Sequence, residues 1–249
     1  MRENWEQYTR NTDAEPASIQ LNTSIYLDVE DIEHTYPNIV FVKLKLKEPT
    51  ATGLLNQNEE ADILNIENAL DTKLMQADSG RYVGRIIRSG SVKFLYYLEP
   101  TQKLQDFLDY SVEEARDYEI SSSHEEDGTW SYYQKLLYPT PKEWQIIENH
   151  HVCDKLKADG DNLELPRVIE HKLQFISEYK KRDLIEELEE EGFQINDDLT
   201  TEDGYSGFTF ERIDIPTHEN IDALTLHLID ILDIYDAKYD GWETSLILE

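Results

Sequence analysis

The chain has a single cysteine, Cys153, in 249 residues. An internal disulfide framework is therefore excluded, and a reducing compartment fits. Basic residues are also scarce: 23 Lys and Arg stand against 53 Asp and Glu, a formal net charge of −30. A surface of that sign repels phosphate backbones, so direct nucleic-acid binding is disfavoured and a basic protein surface is the expected partner. No stretch approaches the roughly 20 apolar residues of a membrane span, and the opening MRENWEQYTR lacks the apolar core of a signal peptide. A cytoplasmic protein without membrane attachment is expected.

Motifs that carry chemistry are missing as well. The sequence contains no glycine-rich phosphate loop, no G-x-S-x-G elbow and no zinc-type cysteine pair. The nearest approach to a metal cluster is His150-His151-Val152-Cys153. Adjacent histidines on a helix point about 100° apart and do not readily share one ion, so a solvated segment is the simpler reading. No carboxylate pair stands out, and an enzyme using carboxylates in a cleft between domains is the least favoured function class. No catalytic residue, no cofactor site and no metal ligand is assigned, and the expectation is that the protein is not an enzyme.

What the chain does contain is periodic apolar sequence. Its length exceeds the usual single domain of about 100–200 residues, and an apolar content of 39 % suffices for packed cores. Trp5 to Tyr8 and Ala17 to Leu27 read as strands, with Asp28 to Pro37 a loop. Ile39 to Leu46 is a strand, and Glu59 to Met75 places Ile63, Ile66, Leu70 and Leu74 at helical spacing. Arg81 to Ile87 and Val92 to Leu98 form a hairpin across Ser89-Gly90. A helix follows through Leu104, Phe107, Leu108, Val112 and Ala115, with Thr101 as its N-cap after Pro100, and then a strand from Tyr118.

The same order recurs later. Val168 to Ile176 is a strand, and Tyr179 to Glu191 a helix stopped at Gly192. Phe193 to Leu199 and Gly207 to Ile215 are strands, in which Phe208 and Phe210 read as core residues. A helix capped at Thr217 carries Ile221, Leu224, Leu228 and Leu232, and a strand follows Asp240-Gly241. The predicted fold is thus α+β: two tandem ferredoxin-like (βαββαβ) domains, each with a four-stranded antiparallel sheet and two helices on one face. The domains span residues 1–139 and 166–249, joined by a connector over 140–165 with a helix from Pro141 to about His150.

Two resemblances attach to particular motifs. Tyr239-Asp240-Gly241-Trp242-Glu243-Thr244, Pro166-Arg167-Val168-Ile169-Glu170-His171 through Phe175, and Glu191-Gly192-Phe193 are similar, in that order, to the RraB family of regulators of ribonuclease E activity. Glu243 departs from that family, which commonly carries Gly there. Upstream, Asp127-Gly128-Thr129-Trp130-Ser131-Tyr132-Tyr133 and Leu136-Leu137-Tyr138-Pro139 resemble the end of the domain of unknown function 695 family, which occurs fused ahead of RraB-like domains. The second resemblance implies no activity. The first implies a regulator that inhibits a ribonuclease by contacting its basic, RNA-binding region.

The candidate partner-binding residues are Glu186, Glu187, Glu190 and Glu191, which crowd a helix C-terminus where negative charge opposes the helix dipole, together with Asp240, Gly241 and Trp242. Asp197, Asp198, Glu202 and Asp203 extend the acidic field. Trp242 is expected to pack on the last helix near Leu228 or Leu232. The resulting functional expectation is a non-catalytic, acidic protein-binding regulator of a ribonuclease or RNA-processing enzyme. The alternative is an immunity-type protein that neutralises a basic toxin or nuclease by the same charge complementarity.

Overall fold

The structure is a computed structural model and describes residues 4–11, 15–99, 102–200 and 206–248. The chain divides into two units, Met1–Pro139 and Thr140–Glu249. Both are α+β and each holds one antiparallel sheet. The expected Thr101 cap with Pro100, and the acids Glu202 and Asp203, lie outside the described residues.

The first unit runs β1 (Trp5–Arg10), β2 (Ala17–Asn22), a 3-10 turn (Thr23–Asp28), α1 (Val29–Ile32), β3 (Asn38–Lys45), α2 (Gln57–Ala77), β4 (Gly80–Arg88), β5 (Ser91–Leu98), α3 (Gln102–Glu114), β6 (Glu119–Glu126) and a π-helical turn (Tyr132–Leu137). Asn56 caps α2 by accepting from the Asn58 amide, and Asp78 ends it in the left-handed region at φ 42°. The stripe Ile63, Ile66, Leu70 and Leu74 buries itself against Val40, Val42, Phe94 and Tyr96 of the sheet. Ser89 and Gly90, both at positive φ, make the tight turn of the β4–β5 hairpin.

The sheet of this unit has six strands in the order β1-β2-β4-β5-β3-β6, not the four expected. β1 and β2 extend it by pairing β2 with β4 (Ile19 opposite Ile86). Gly84 makes the pairing possible, because a Cβ there would sit 2.2 Å from the Gln20 carbonyl oxygen. The second strand also stops earlier than its alternation suggests. Asn22 turns the chain into the 3-10 segment by accepting from the Ser24 amide and hydroxyl.

The face away from α2 and α3 is covered too, which a four-stranded sheet with helices on one side does not anticipate. Trp130 stacks flat on Tyr97, with centroids 3.9 Å apart and planes at 7°, and its indole nitrogen donates to the Tyr36 carbonyl. The Asp127 carboxylate accepts from the Tyr97 hydroxyl at 2.5 Å, from the Ser131 amide and hydroxyl at 2.9 Å, and from the Tyr132 amide at 3.0 Å. Burial pushes this carboxyl up, but the bonds from Tyr97, Tyr132 and Ser131 outweigh it and hold Asp127 below the usual carboxylate range. The Tyr133 hydroxyl donates to the Asn22 carbonyl, and the Tyr8 hydroxyl to that of Leu137. The Asp-Gly-Thr-Trp motif is thus the clasp that fastens β1 and β2 to the rest of the unit. With both faces covered, β5 is buried continuously from Val92 to Leu98 apart from Lys93.

The second unit runs α4 (Pro141–Ala158), β7 (Arg167–Phe175), a 3-10 turn (Glu178–Lys180), α5 (Lys181–Glu190), β8 (Gln194–Thr200), β9 (Ser206–Asp214), α6 (His218–Ile234) and β10 (Ala237–Thr244). Its sheet has four strands in the order β10-β7-β9-β8, all pairs antiparallel. Leu184 and Leu188 of α5 and Leu228 and Leu232 of α6 pack on Leu173, Phe175, Phe208 and Phe210, so both phenylalanines are core residues.

Residues 140–165, expected as a connector, are a packed part of this unit. Thr140 and Glu143 form a capping box with Pro141 at the first helical position. The helix then continues well past His150 and buries Ile147, Asn149 and Cys153. Cys153 is fully buried and its thiol is pushed up to about 11 by burial. Among the described residues no helix is long and apolar enough to cross a membrane.

Trp130 fills the space between the sheet and the clasp with no exposed surface. Trp130→Ala should lower the stability of the first unit by about 3–5 kcal/mol, the cost of emptying a buried aromatic site. Chemical denaturation followed by near-ultraviolet circular dichroism checks this; a loss below about 1 kcal/mol would show that the clasp is dispensable.

Candidate protein-interaction site

The acids at the end of α5 form one element of the candidate site. Glu186 and Glu190 point outward, and Glu186 has only a loose pairing with Arg182 at 3.8 Å. Glu187 accepts from the Tyr235 hydroxyl at 3.2 Å, and Glu191 faces His227 at 3.2 Å. Two of the four carboxylates are therefore tied to α6 and its end, and two are free to meet solvent or a partner. Asp197 and Asp198 on β8 are exposed, Asp198 pairing with Lys181 at 2.7 Å.

Crowding negative charge at a helix C-terminus costs about 0.3–1 kcal/mol per exposed group. Arg212 of β9 offsets part of that cost. One guanidinium nitrogen donates to the Glu191 carbonyl at 2.9 Å, where the orphan carbonyls of α5 end, and two others grip Asp214 at 2.9 and 3.1 Å. The group also lies 4.3 Å over the Phe193 ring.

Asp240, Gly241 and Trp242 do not form the turn expected of them. The turn before β10 lies at Tyr235-Asp236, with Asp236 at φ 55°. Asp240 and Gly241 instead form a bulge inside the strand: pairing with β7 slips between Tyr239 (opposite Leu173) and Trp242 (opposite His171). Gly241, at φ 96°, supplies the conformation the extra residue needs. The bulge leaves Asp240 exposed and aims Trp242 inward.

Trp242 packs beside Cys153, Leu163, Ile169 and Ile221, which is the start of α6 together with α4, not the Leu228–Leu232 region. Its indole nitrogen donates to the Asn149 side-chain oxygen at 2.9 Å. That oxygen also accepts from Gln145, while the Asn149 amide nitrogen donates to Asp222 at 2.9 Å and Thr225 at 2.8 Å. Every polar valence of a fully buried amide is used, and α4, α6 and β10 meet at it. Sequence spacing held a signal for this, since Gln145, Asn149 and Cys153 recur at four-residue intervals on one face of α4.

Two further buried polar groups escaped the sequence reading. Arg167 and Asp161 form an ion pair at 2.6 Å, with side chains 4 % and 0 % exposed. Arg167 also donates to the carbonyls of Asn162, Leu165 and Ser245, and Asp161 accepts from the Ile247 amide at 2.7 Å. The Arg167 hydrogen bond holds Asp161 below the usual carboxylate range. The pair thereby fastens the segment after β10 to the start of β7.

His171 lies in the centre of the sheet with no exposed surface, its Nδ1 2.7 Å from the Tyr239 hydroxyl. It stacks on Phe210 and meets Phe193 edge-on. Nε2 has no partner. Burial, with the nearby Arg212 charge, pushes His171 down to about 3, so the ring is neutral at physiological pH.

The candidate residues thus sit on different parts of one unit: α5 packs against β8, and the bulge belongs to β10 at the other edge of the sheet. No hydrogen bond or ion pair joins the two groups among the described residues. Of the histidine–cysteine run, His150 pairs with Asp222 at 2.9 Å, His151 is exposed and Cys153 is interior. Among the described residues no group of three or more His, Cys, Asp or Glu could hold a metal ion.

Two family models match the chain in tandem, one in each unit. Residues 3–138 match the family of unknown function DUF695, and the chain belongs to that family. Residues 146–244 match the family described as regulator of ribonuclease activity B. These are the two families that the motifs resemble, in the same order. The second match takes in most of α4, consistent with the packing of that helix at Asn149. No curated protein matches the chain.

His171 generates a pH prediction. Its folded value of about 3 lies below the ordinary 6.5, so over that interval the unfolded chain holds a proton that the folded chain does not. The stability contributed by the neutral ring is complete above about pH 6.5 and is lost as pH falls, by about 1.4 kcal/mol per unit. His171→Asn cannot be charged and keeps an acceptor for Tyr239. Between about pH 7.5 and about pH 5 the parent should lose about 2 kcal/mol relative to that variant, measured by urea denaturation. Parallel pH profiles would contradict the assignment.

Proposed function

We propose that this protein is a non-catalytic, acidic protein-binding regulator that modulates a ribonuclease or another RNA-processing enzyme by engaging its basic, RNA-binding region. The observation that carries the reading is the match of residues 146–244 to a regulator of ribonuclease activity, on a unit whose outer edge is acidic. The strand order β10-β7-β9-β8, with the last strand beside the first, supports a ferredoxin-like assignment for this unit. In the first unit β4-β5-β3-β6 follow the same order inside the larger sheet. We take residues 1–139 and 140–249 as the two domains and place the protein in the cytoplasm.

Complementary charge explains how recognition would work. The outward carboxylates of Glu186 and Glu190, and that of Asp197 on β8, each offer two acceptor oxygens that arginine can grip in its fork geometry. The sheet face opposite the helices adds Glu170 and Glu211, held side by side because Asn196 donates to both, at 3.4 and 2.9 Å. Such a surface accelerates encounter with a cationic partner and disfavours RNA itself. Asp240 at the bulge extends the acidic rim on the other edge, while Gly241 and Trp242 contribute by shaping the strand.

Replacing Glu186, Glu187, Glu190 and Glu191 together with Gln tests the reading. Association with an arginine-rich segment of the partner enzyme should slow by about tenfold at low salt and become nearly insensitive to added salt. Stability should change by less than about 0.5 kcal/mol per substitution, which separates folding from binding. Unchanged association of the Gln variant, or tight binding of RNA by the purified second unit, would remove the basis of the proposal.

A further inference from the structure

In a chain so rich in acids, a cluster of cations on the first unit stands apart. On β3 and β5, Lys43 and Lys93 face each other as register partners. Like charges directly opposite across a strand pair are destabilising. Neither ammonium has an ion-pair partner among the described residues; Lys93 only overlies the Phe41 ring, 5.2 Å from its centroid. Lys45, two residues along, is by contrast paired with Glu119 at 2.9 Å.

The two lysines border two adjoining clefts of about 530 and 310 Å³, which share Lys43, Ser89 and Ser91. Lys45 and Lys47 line the first, and Arg10, Arg88 and Lys93 the second. Hydroxyls lie beside the cations: Ser121 is the register partner of Lys43 on β6, and Ser91 that of Lys45 on β5. Of the carboxylates at this end, Glu119 is already on Lys45, and Glu15 accepts from the Ser89 hydroxyl. The positive charge of Lys43 and Lys93 is thus left without an ion-pair partner among the described residues. The net charge of the whole chain does not cancel it, since fields are screened over about 10 Å at 0.1 M salt.

We propose that Lys43 and Lys93 form a binding site for a phosphate dianion, either free inorganic phosphate or the phosphate monoester of a small nucleotide. Two facing ammonium groups match the charge of a dianion, and its binding between them relieves their mutual repulsion. Serine hydroxyls at the same rows supply donors to the remaining oxygens. Phe41, half-buried beside Lys93, offers a ring edge for a base where the phosphate is part of a nucleotide. The site lies wholly within the first unit and does not depend on the function proposed for the second.

Calorimetric titration of the full chain at low salt with inorganic phosphate, adenosine 5′-monophosphate and a hexaglutamate peptide tests this. Saturable binding of phosphate or the nucleotide is expected, weakened by about tenfold or more in the Lys43→Gln/Lys93→Gln variant. Thermal unfolding of that variant at or above the parent temperature confirms that the fold survives loss of a like-charged pair. Nucleotide binding tighter than phosphate identifies the nucleotide as the ligand, and equal affinities identify free phosphate. Absence of saturable binding, binding that the double variant retains, or preference for hexaglutamate would overturn the proposal.

Discussion

The second unit depends on one side-chain amide. Asn149 is buried, and burying an amide without partners costs about 1–3 kcal/mol by mutational measure. Here its oxygen takes two hydrogen bonds and its nitrogen gives two, to Gln145, Trp242, Asp222 and Thr225. The Thr225 hydroxyl is fixed in turn by donating to the Ile221 carbonyl, and Asp222 also binds His150. The node ties α4 to α6 and β10 through side chains of all three elements. It also fixes the direction in which the β10 bulge turns Trp242.

The same division between an interior whose few carboxylates are held by specific donors and an acidic exterior runs through both units. Asp127 in the first unit accepts four hydrogen bonds, and Asp161 in the second is matched by a buried arginine. The charge of each of these buried carboxylates is thus met by nearby donors. The remaining acids lie outside, where they cost little and create a long-range field. The proposed action by complementary charge needs this separation, because a stable interior lets the surface carry repulsion without unfolding.

Most elements were legible because local pattern and tertiary context agree. Ile39 to Leu46 is apolar first and then alternates where β3 lies, Thr217 caps α6 as its position suggests, and Ser89-Gly90 makes the hairpin turn. The misreadings share a cause: the deciding partner is distant in sequence. Asp-Gly permits positive φ in a turn or a bulge alike, and only pairing with His171 and Leu173 makes it a bulge. The inward face of α4 carries Gln145 and Asn149, so it lacks the apolar stripe that marks a packed helix. The six-stranded sheet required knowing that Trp130 and Tyr133 reach back to Tyr36 and Asn22. Of the candidate site, the acids of α5 could be read from their crowding. Their offset by Arg212 could not, because it comes from a strand two elements later.

The central claim is that a cationic partner is met by the acidic edge of the second unit. Hydrogen–deuterium exchange of the full chain, with and without the purified basic region of the proposed ribonuclease partner, tests where that contact falls. The account predicts added protection at the C-terminal turn of α5 and along β8, around Glu186 to Glu191 and Asp197-Asp198. Protection confined to the first unit, or none at saturating partner, would contradict it.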